Sequence, residues 1–364
     1  MKWNAILGAA MIAGSLCGCE TETGGIEPSG NNSNNGTGSN KGWLIPKTEV
    51  FNGGPGKDGI PALTEPDFIP AGEADYISEN DLVLGFVNGS DARAYPHSIL
   101  DWHEIINDRL GDVNISVTYC PLTGTGIGWN RTINGKVTTF GVSGLLYNSN
   151  LIPYDRESDS NWSQIRLDCV NGDLIGTRVE TFPLVETTWR TWKEMYPATK
   201  VVSTKTGHSR NYGYYPYGDY RTDHNYLIFP VANKDNRLEN KTRVHGIIHS
   251  GNARIYPLTT FGDEVTVIQD QHFGEEFVLV GNGEDGFAVS FLRNPGDGSQ
   301  LSFSAVQDRY PVVMTDNEGT EWDLFGQAVS GPREGSRLTH ARSFVGYWFS
   351  FAAFYPNLSV FGEL

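Results

Sequence analysis

The sequence predicts a mainly β protein, a β-rich α+β chain built from two tandem copies of one unit with a few short helices. Three observations predict it. Gly 43 and Pro 18 are plentiful while only 19% of residues are charged, a mix that favours short strands and turns over long helices. Runs such as Ile115–Tyr119, Lys136–Phe140 and Glu276–Val280 are rich in β-branched and aromatic residues and bounded by Gly, Asn and Asp. A stretch near Val83 returns near Val244 in the same order.

The repeat is the strongest of the three. VLGFVNGSDARAYP from Val83 aligns without a gap on VHGIIHSGNARIYP from Val244. Gly85, Ala92, Arg93, Tyr95 and Pro96 meet Gly246, Ala253, Arg254, Tyr256 and Pro257. Farther on, Asp155, Glu157 and Trp162 meet Asp316, Glu318 and Trp322, and Gly176 and Arg178 meet Gly335 and Arg337. Trp189 and Tyr196-Pro197 meet Trp348 and Tyr355-Pro356. Residues 81–202 are read as the first copy and 243–364 as the second.

Along the chain, residues 1–19 form a leader: Lys2, an apolar stretch from Ala5 to Ala13, then small residues around two cysteines. It is too short for a bilayer span of about 20 apolar residues. Leu16-Cys17-Gly18-Cys19 resembles a bacterial lipobox, and Cys19, directly after Gly18, is the expected lipidation site. Residues 20–42 hold Gly, Ser, Asn and Thr with almost nothing apolar, the composition of a flexible tether. Residues 43–80 are read as an N-terminal extension packing on the core.

Within the copies, helical patterning is confined to His97–Asn107, Thr187–Met195 and Phe344–Phe354, and Asn134-Gly135 between two strand runs signals a type I′ hairpin. Residues 203–242 connect the copies and include a tyrosine-rich stretch, HSRNYGYYPYGDY. Loops of this length are often functional. Tyr214, Tyr215 and Tyr217 could stack on a sugar or peptide, or simply pack over the seam.

Charge narrows the partners. With Lys+Arg 27 against Asp+Glu 43 the net charge is −16, which repels phosphate backbones and argues against nucleic acid. The leader and its cysteine place the chain in the cell envelope, lipid-anchored and periplasmic or surface-exposed, touching the membrane through that anchor alone.

Features present in one copy only are the candidates for function. The first copy carries Tyr119-Cys120-Pro121-Leu122-Thr123, His97 and His103, where the second has glycines and Asn282, Leu258 and Glu264. A thiol beside an imidazole can be a nucleophile or a soft metal ligand. Cys120 and His103 are therefore the expected catalytic pair; with His97 they are candidate ligands for copper or zinc. Tyr119, Thr123, Asp155 and Arg156 are the expected polar support. The bland reading of Cys120 is an inert buried thiol. The rival functional class is a non-catalytic module holding a small ligand, a glycan or an envelope protein on the tyrosine loop and the inter-copy cleft. His245 and His249 would lie about 13 Å apart on a strand and do not read as a metal pair. Cys169 could pair with Cys120 in an oxidising compartment, although a buried free thiol is the favoured reading.

Tyr-Cys-Pro-Leu-Thr-Gly from Tyr119, Thr139-Phe140-Gly141-Val142-Ser143-Gly144 and Tyr154-Asp155-Arg156-Glu157 resemble the bacterial and archaeal family called domain of unknown function 3179. So do Trp102–Asp108, Pro216-Tyr217 and Lys241–Gly246. The resemblance spans nearly everything from about residue 47 to the end and implies no established activity. Many members carry Cys-Pro-Leu-Cys; Thr123 here replaces the second thiol and leaves Cys120 alone.

Overall fold

The computed structural model describes residues 42–363; the leader and most of the tether lie outside it. Among the described residues strands dominate, and the three α-helices are about two turns long: α1 (His97–His103), α2 (Trp189–Met195) and α3 (Trp348–Phe354).

Local chemistry fixes the element ends. Asn134 and Gly135 both adopt positive φ, 50° and 78°, and join Thr132–Ile133 to Lys136–Val137 as the hairpin signal predicts. The run 136–140 is not one strand, however. The Thr138 carbonyl accepts from Arg131 Nη1 at 3.0 Å and the Phe140 N–H donates to Asn107 Oδ1 at 2.8 Å. Side chains have taken the groups a continuous ladder would need, and a new strand starts at Phe140. The helix expected over 97–107 stops at His103. Glu104, at φ 57°, occupies the left-handed region, and Ile105–Leu110 continues as a strand. The helix expected over 344–354 likewise begins only at Trp348, after a strand over Ser343–Tyr347.

The two halves share one set of pairings. In the first, strands 185–188, 82–88, 91–96 and 200–202 lie side by side; in the second, 343–347, 243–249, 252–257 and 359–360 do so in the same order and with the same mix of antiparallel and parallel neighbours. The meander 105–110, 113–120, 125–130 matches 266–272, 275–282, 287–292. Residues common to both halves do the same work in each. The Tyr95 hydroxyl and Arg93 guanidinium bind Asp108, and Tyr256 and Arg254 bind Asp270. Trp162 donates to Asp155 at 2.9 Å and Trp322 to Asp316 at 3.0 Å. A Cβ on Gly85 would lie 2.1 Å from the Trp192 ring, and one on Gly246 would lie 2.2 Å from the Phe351 ring. Only hydrogen fits where the helix crosses the strand.

The halves also grip each other reciprocally. Tyr347 N–H donates to Thr123 O at 2.8 Å, and Thr188 N–H, its counterpart, donates to Asp285 O at 3.1 Å. The N-terminal segment adds strands to three sheets of the first half: 50–52 beside 140–147, 63–64 beside 105–110, and 68–70 beside 200–202. No strand or helix occurs between Val202 and Arg243. That connection is pinned by side chains instead. The Tyr220 hydroxyl donates to Leu122 O at 2.9 Å, and buried Lys241 gives its ammonium protons to the carbonyls of Tyr220, Asp223 and Tyr226.

Candidate functional site

Pro96 closes a strand and opens α1 without a side-chain cap. Ile99 and Leu100 face the core, while His97 and Asp101, four residues apart, share a face and line one cavity of about 450 Å³. The tyrosine-rich connection forms its other wall through Tyr212, Tyr214, Tyr215 and Arg221, with Tyr76 and Ser98 beside them.

The charges in and behind this cavity are matched. Arg221 Nη2 lies 3.2 Å from Asp101 Oδ2, and its guanidinium stacks 3.5 Å above the Tyr215 ring. Behind His97, Glu186 of the first half forms a buried ion pair with Arg243 of the second. Burial works against ionising Glu186, but Arg243 and His97 outweigh it and hold the carboxyl below its usual range. Burial lowers the His97 pKa despite Glu186, and pushes Asp101 up to about 7 against the pull of Arg221. His97 is packed on Tyr119, ring centroids 4.4 Å apart.

Hydrogen bonds, unlike charges, are left unmade. Ser98 Oγ, Asp101 Oδ1 and the Tyr215 hydroxyl are buried and have no partner. His97 Nε2 and Glu186 Oε2 lie 3.2 Å apart, and neither atom has another partner. Buried polar atoms without partners are rare, each costing about 1–3 kcal/mol. Here four of them belong to side chains that line this one cavity: His97, Ser98, Asp101 and Tyr215.

The expected thiol site does not form this way. His103 turns from the cavity, with Nδ1 2.7 Å from Pro61 O and Nε2 2.7 Å from the Tyr212 hydroxyl, and burial lowers its pKa to about 4. Both ring nitrogens are thus spoken for. Cys120 is 1% exposed, its Sγ 3.6 Å from Ser149 O. Burial, with Glu104 nearby, pushes the thiol up to about 11. Its acidic neighbour is Glu104, itself pushed up to about 8 by burial although Tyr217 opposes the shift. The left-handed turn at Glu104 sends the two adjacent side chains, His103 and Glu104, to different surroundings. Among the described residues no group of three His, Cys, Asp or Glu side chains is placed to hold a metal. Cys120 and Cys169 are both free and buried.

The support residues serve locally. Asp155 accepts from Ser158 and Trp162, Arg156 pairs with Asp58 at 2.7 Å, and Thr123 Oγ1 bonds Thr125 at 2.8 Å and Asn150 at 3.0 Å. Sequence reasoning missed Ser98, Asp101, Glu186, Arg221 and Arg243. Two signals could have found three of them. His97 and Asp101 sit at helical spacing, and the comparison of copies places Leu82 opposite Arg243 and Val345 opposite Glu186. Arg221 carried no such mark, lying in a connection with no counterpart.

No curated protein and no solved structure matches the chain. A family model described as protein of unknown function (DUF3179) matches residues 57–358, which takes in α1, the cavity and all of both halves but the last strand, 359–360. The chain belongs to the DUF3179 family.

Proposed function

We propose that the protein is an envelope lipoprotein whose cavity beneath the tyrosine-rich connection binds a small, neutral, polyhydroxylated ligand, a glycan fragment by preference. The observation that carries this is the set of unpartnered buried atoms on side chains lining one cavity: Ser98 Oγ, Asp101 Oδ1 and the Tyr215 hydroxyl. Hydroxyls and a carboxyl call for a ligand with both donors and acceptors, which sugar hydroxyls supply. Tyrosine rings among the lining residues suit the apolar face of a pyranose. Above about pH 7 Asp101 is ionised and pairs with Arg221, and Glu186 pairs with Arg243, so the site then asks for no net charge. The volume of about 450 Å³ lies within the range of small-molecule sites.

The test is calorimetric titration of the full chain in detergent with neutral disaccharides (maltose, cellobiose, N-acetylchitobiose). Binding by at least one, weakened tenfold or more by Asp101→Asn and Tyr215→Phe, supports the reading. Binding by none, or unchanged binding in both variants, overturns it.

The anchor rests on Gly18-Cys19. Among the described residues no helix is long and apolar enough to cross a membrane. Cys19→Ser should release the protein from the membrane fraction or leave its leader uncleaved; wild-type fractionation and migration would refute the anchor.

A further inference from the structure

A second cavity, of about 350 Å³, opens in the other half of the molecule. Its floor is apolar, with Ile247, Phe277 and Leu292, and its rim carries Arg178, Arg342, His249, His340 and Glu275. In this acidic chain most arginines are paired with carboxylates. Of those without a carboxylate, Arg109, Arg210 and Arg337 still donate side-chain hydrogen bonds, to Gly111 O, Ser209 O and Gln327 Oε1. Among the described residues, Arg178 and Arg342 are the two arginines whose guanidinium has neither an ion pair nor a hydrogen bond, and both line this cavity.

The matching strand registers show that this is peculiar to one half. His249 pairs with Asn252 where Asn88 pairs with Asp91, and His340 bridges Phe291 where Thr181 pairs with Trp129. Following the same ladders, Arg342 corresponds to Pro183. The first half thus offers none of these histidine or arginine side chains at the equivalent place. Arg178 itself comes from the first half. Its counterpart Arg337 is tied to Gln327 at 3.3 Å, whereas Arg178 reaches the cavity of the other half unpaired.

We infer that this cavity binds a small organic oxyanion, a carboxylate or phosphate ester on an apolar body, with Arg178 and Arg342 taking the anion and Ile247, Phe277 and Leu292 the body. Two unpaired guanidinium groups against the single carboxylate of Glu275 leave the rim cationic, and guanidinium geometry suits planar or tetrahedral oxyanions. The apolar floor distinguishes the site from a patch that would attract any free anion. It is separate from the cavity at α1 and does not depend on the reading given there.

The experiment is titration of the full chain in detergent, at constant ionic strength, with benzoate, phenyl phosphate and inorganic phosphate. Benzoate or phenyl phosphate should bind more tightly than inorganic phosphate. Combined Arg178→Gln and Arg342→Gln should weaken that binding tenfold or more, Glu275→Gln should tighten it, and Asp101→Asn should leave it unchanged. Both arginines are exposed, so the variant should keep its wild-type melting temperature. No binding by the organic anions, binding no tighter than inorganic phosphate, or binding indifferent to the arginines overturns the inference.

Discussion

Asp101→Asn should change how stability depends on pH, and the structure sets the size of the effect. In the unfolded chain this carboxyl ionises near its ordinary value of 3.8, whereas burial holds it protonated in the fold until about 7. Between those values the native state binds a proton that the unfolded state has lost. Stability contributed at Asp101 therefore falls as pH rises through that window and levels off above it. At about 1.4 kcal/mol per pH unit the ceiling is roughly 4 kcal/mol. Because the unfolded chain is compact and Arg221 can relax, about half of that is a reasonable expectation. Asparagine keeps the shape and removes the titration, while Arg221 retains its stacking on Tyr215 at 3.5 Å. Urea unfolding followed by tryptophan fluorescence from about pH 4 to pH 8 measures the effect. The variant should be equal to or slightly less stable than wild type at the acid end and about 2 kcal/mol more stable at the alkaline end. Parallel curves for the two proteins would refute the placement of Asp101 as a buried, strained acid.

Other predictions test the frame around the cavity. Gly85→Ala and Gly246→Ala should each lower the melting temperature, costing on the order of 1–3 kcal/mol or more, because the new methyl group meets a buried ring at 2.1 Å and 2.2 Å. A differential scan checks both, and the two losses should be similar. His103, His245 and His340 are held near 4, 3 and 4 by burial. The unfolded chain takes up protons there first, so stability should decline as pH drops below about 6.5; His245→Gln should shrink that acid slope in the same urea assay. Cys120 and Cys169, with thiols at about 11 and 12, should resist iodoacetamide in the native state near pH 8 and react once unfolded, as mass spectrometry would show.

What could be seen in the sequence was the part that depends on neighbours along the chain or on repetition. The Asn134-Gly135 hairpin, the strand over Ile115–Tyr119 and the helix at Trp189 need only local chemistry, and each is present. The shared Asp–Trp contacts join positions that matched in the sequence, and matched Arg93, Tyr95 and Gly85 supply one side of the other shared contacts, whose partners Asp108 and Trp192 were not matched. Errors arose where one residue overrode a pattern. Glu104 takes a conformation unusual outside glycine and asparagine and cuts α1 short, and Asn107 and Arg131 take up the backbone groups that would have carried strand 136–140 onward. The site was harder to read because its parts come from distant segments: Asp101 from α1, Glu186 and Arg243 from different halves, Arg221 from a connection without regular structure. Cys120 and His103 drew notice as unusual residue types, but rarity carries no information about burial or hydrogen-bond partners.

On the proposed reading of the cavity, the unsatisfied atoms around α1 await a ligand's hydroxyl groups. That reading is tested most directly by a crystal structure of the chain with a bound disaccharide from the calorimetric panel. The sugar should lie between α1 and the tyrosine-rich connection, with hydroxyls within hydrogen-bond distance of Ser98 Oγ, Asp101 Oδ1 and the Tyr215 hydroxyl. A sugar bound elsewhere with those three atoms still unpartnered, or the three atoms satisfied by one another in the ligand-free crystal, would contradict it.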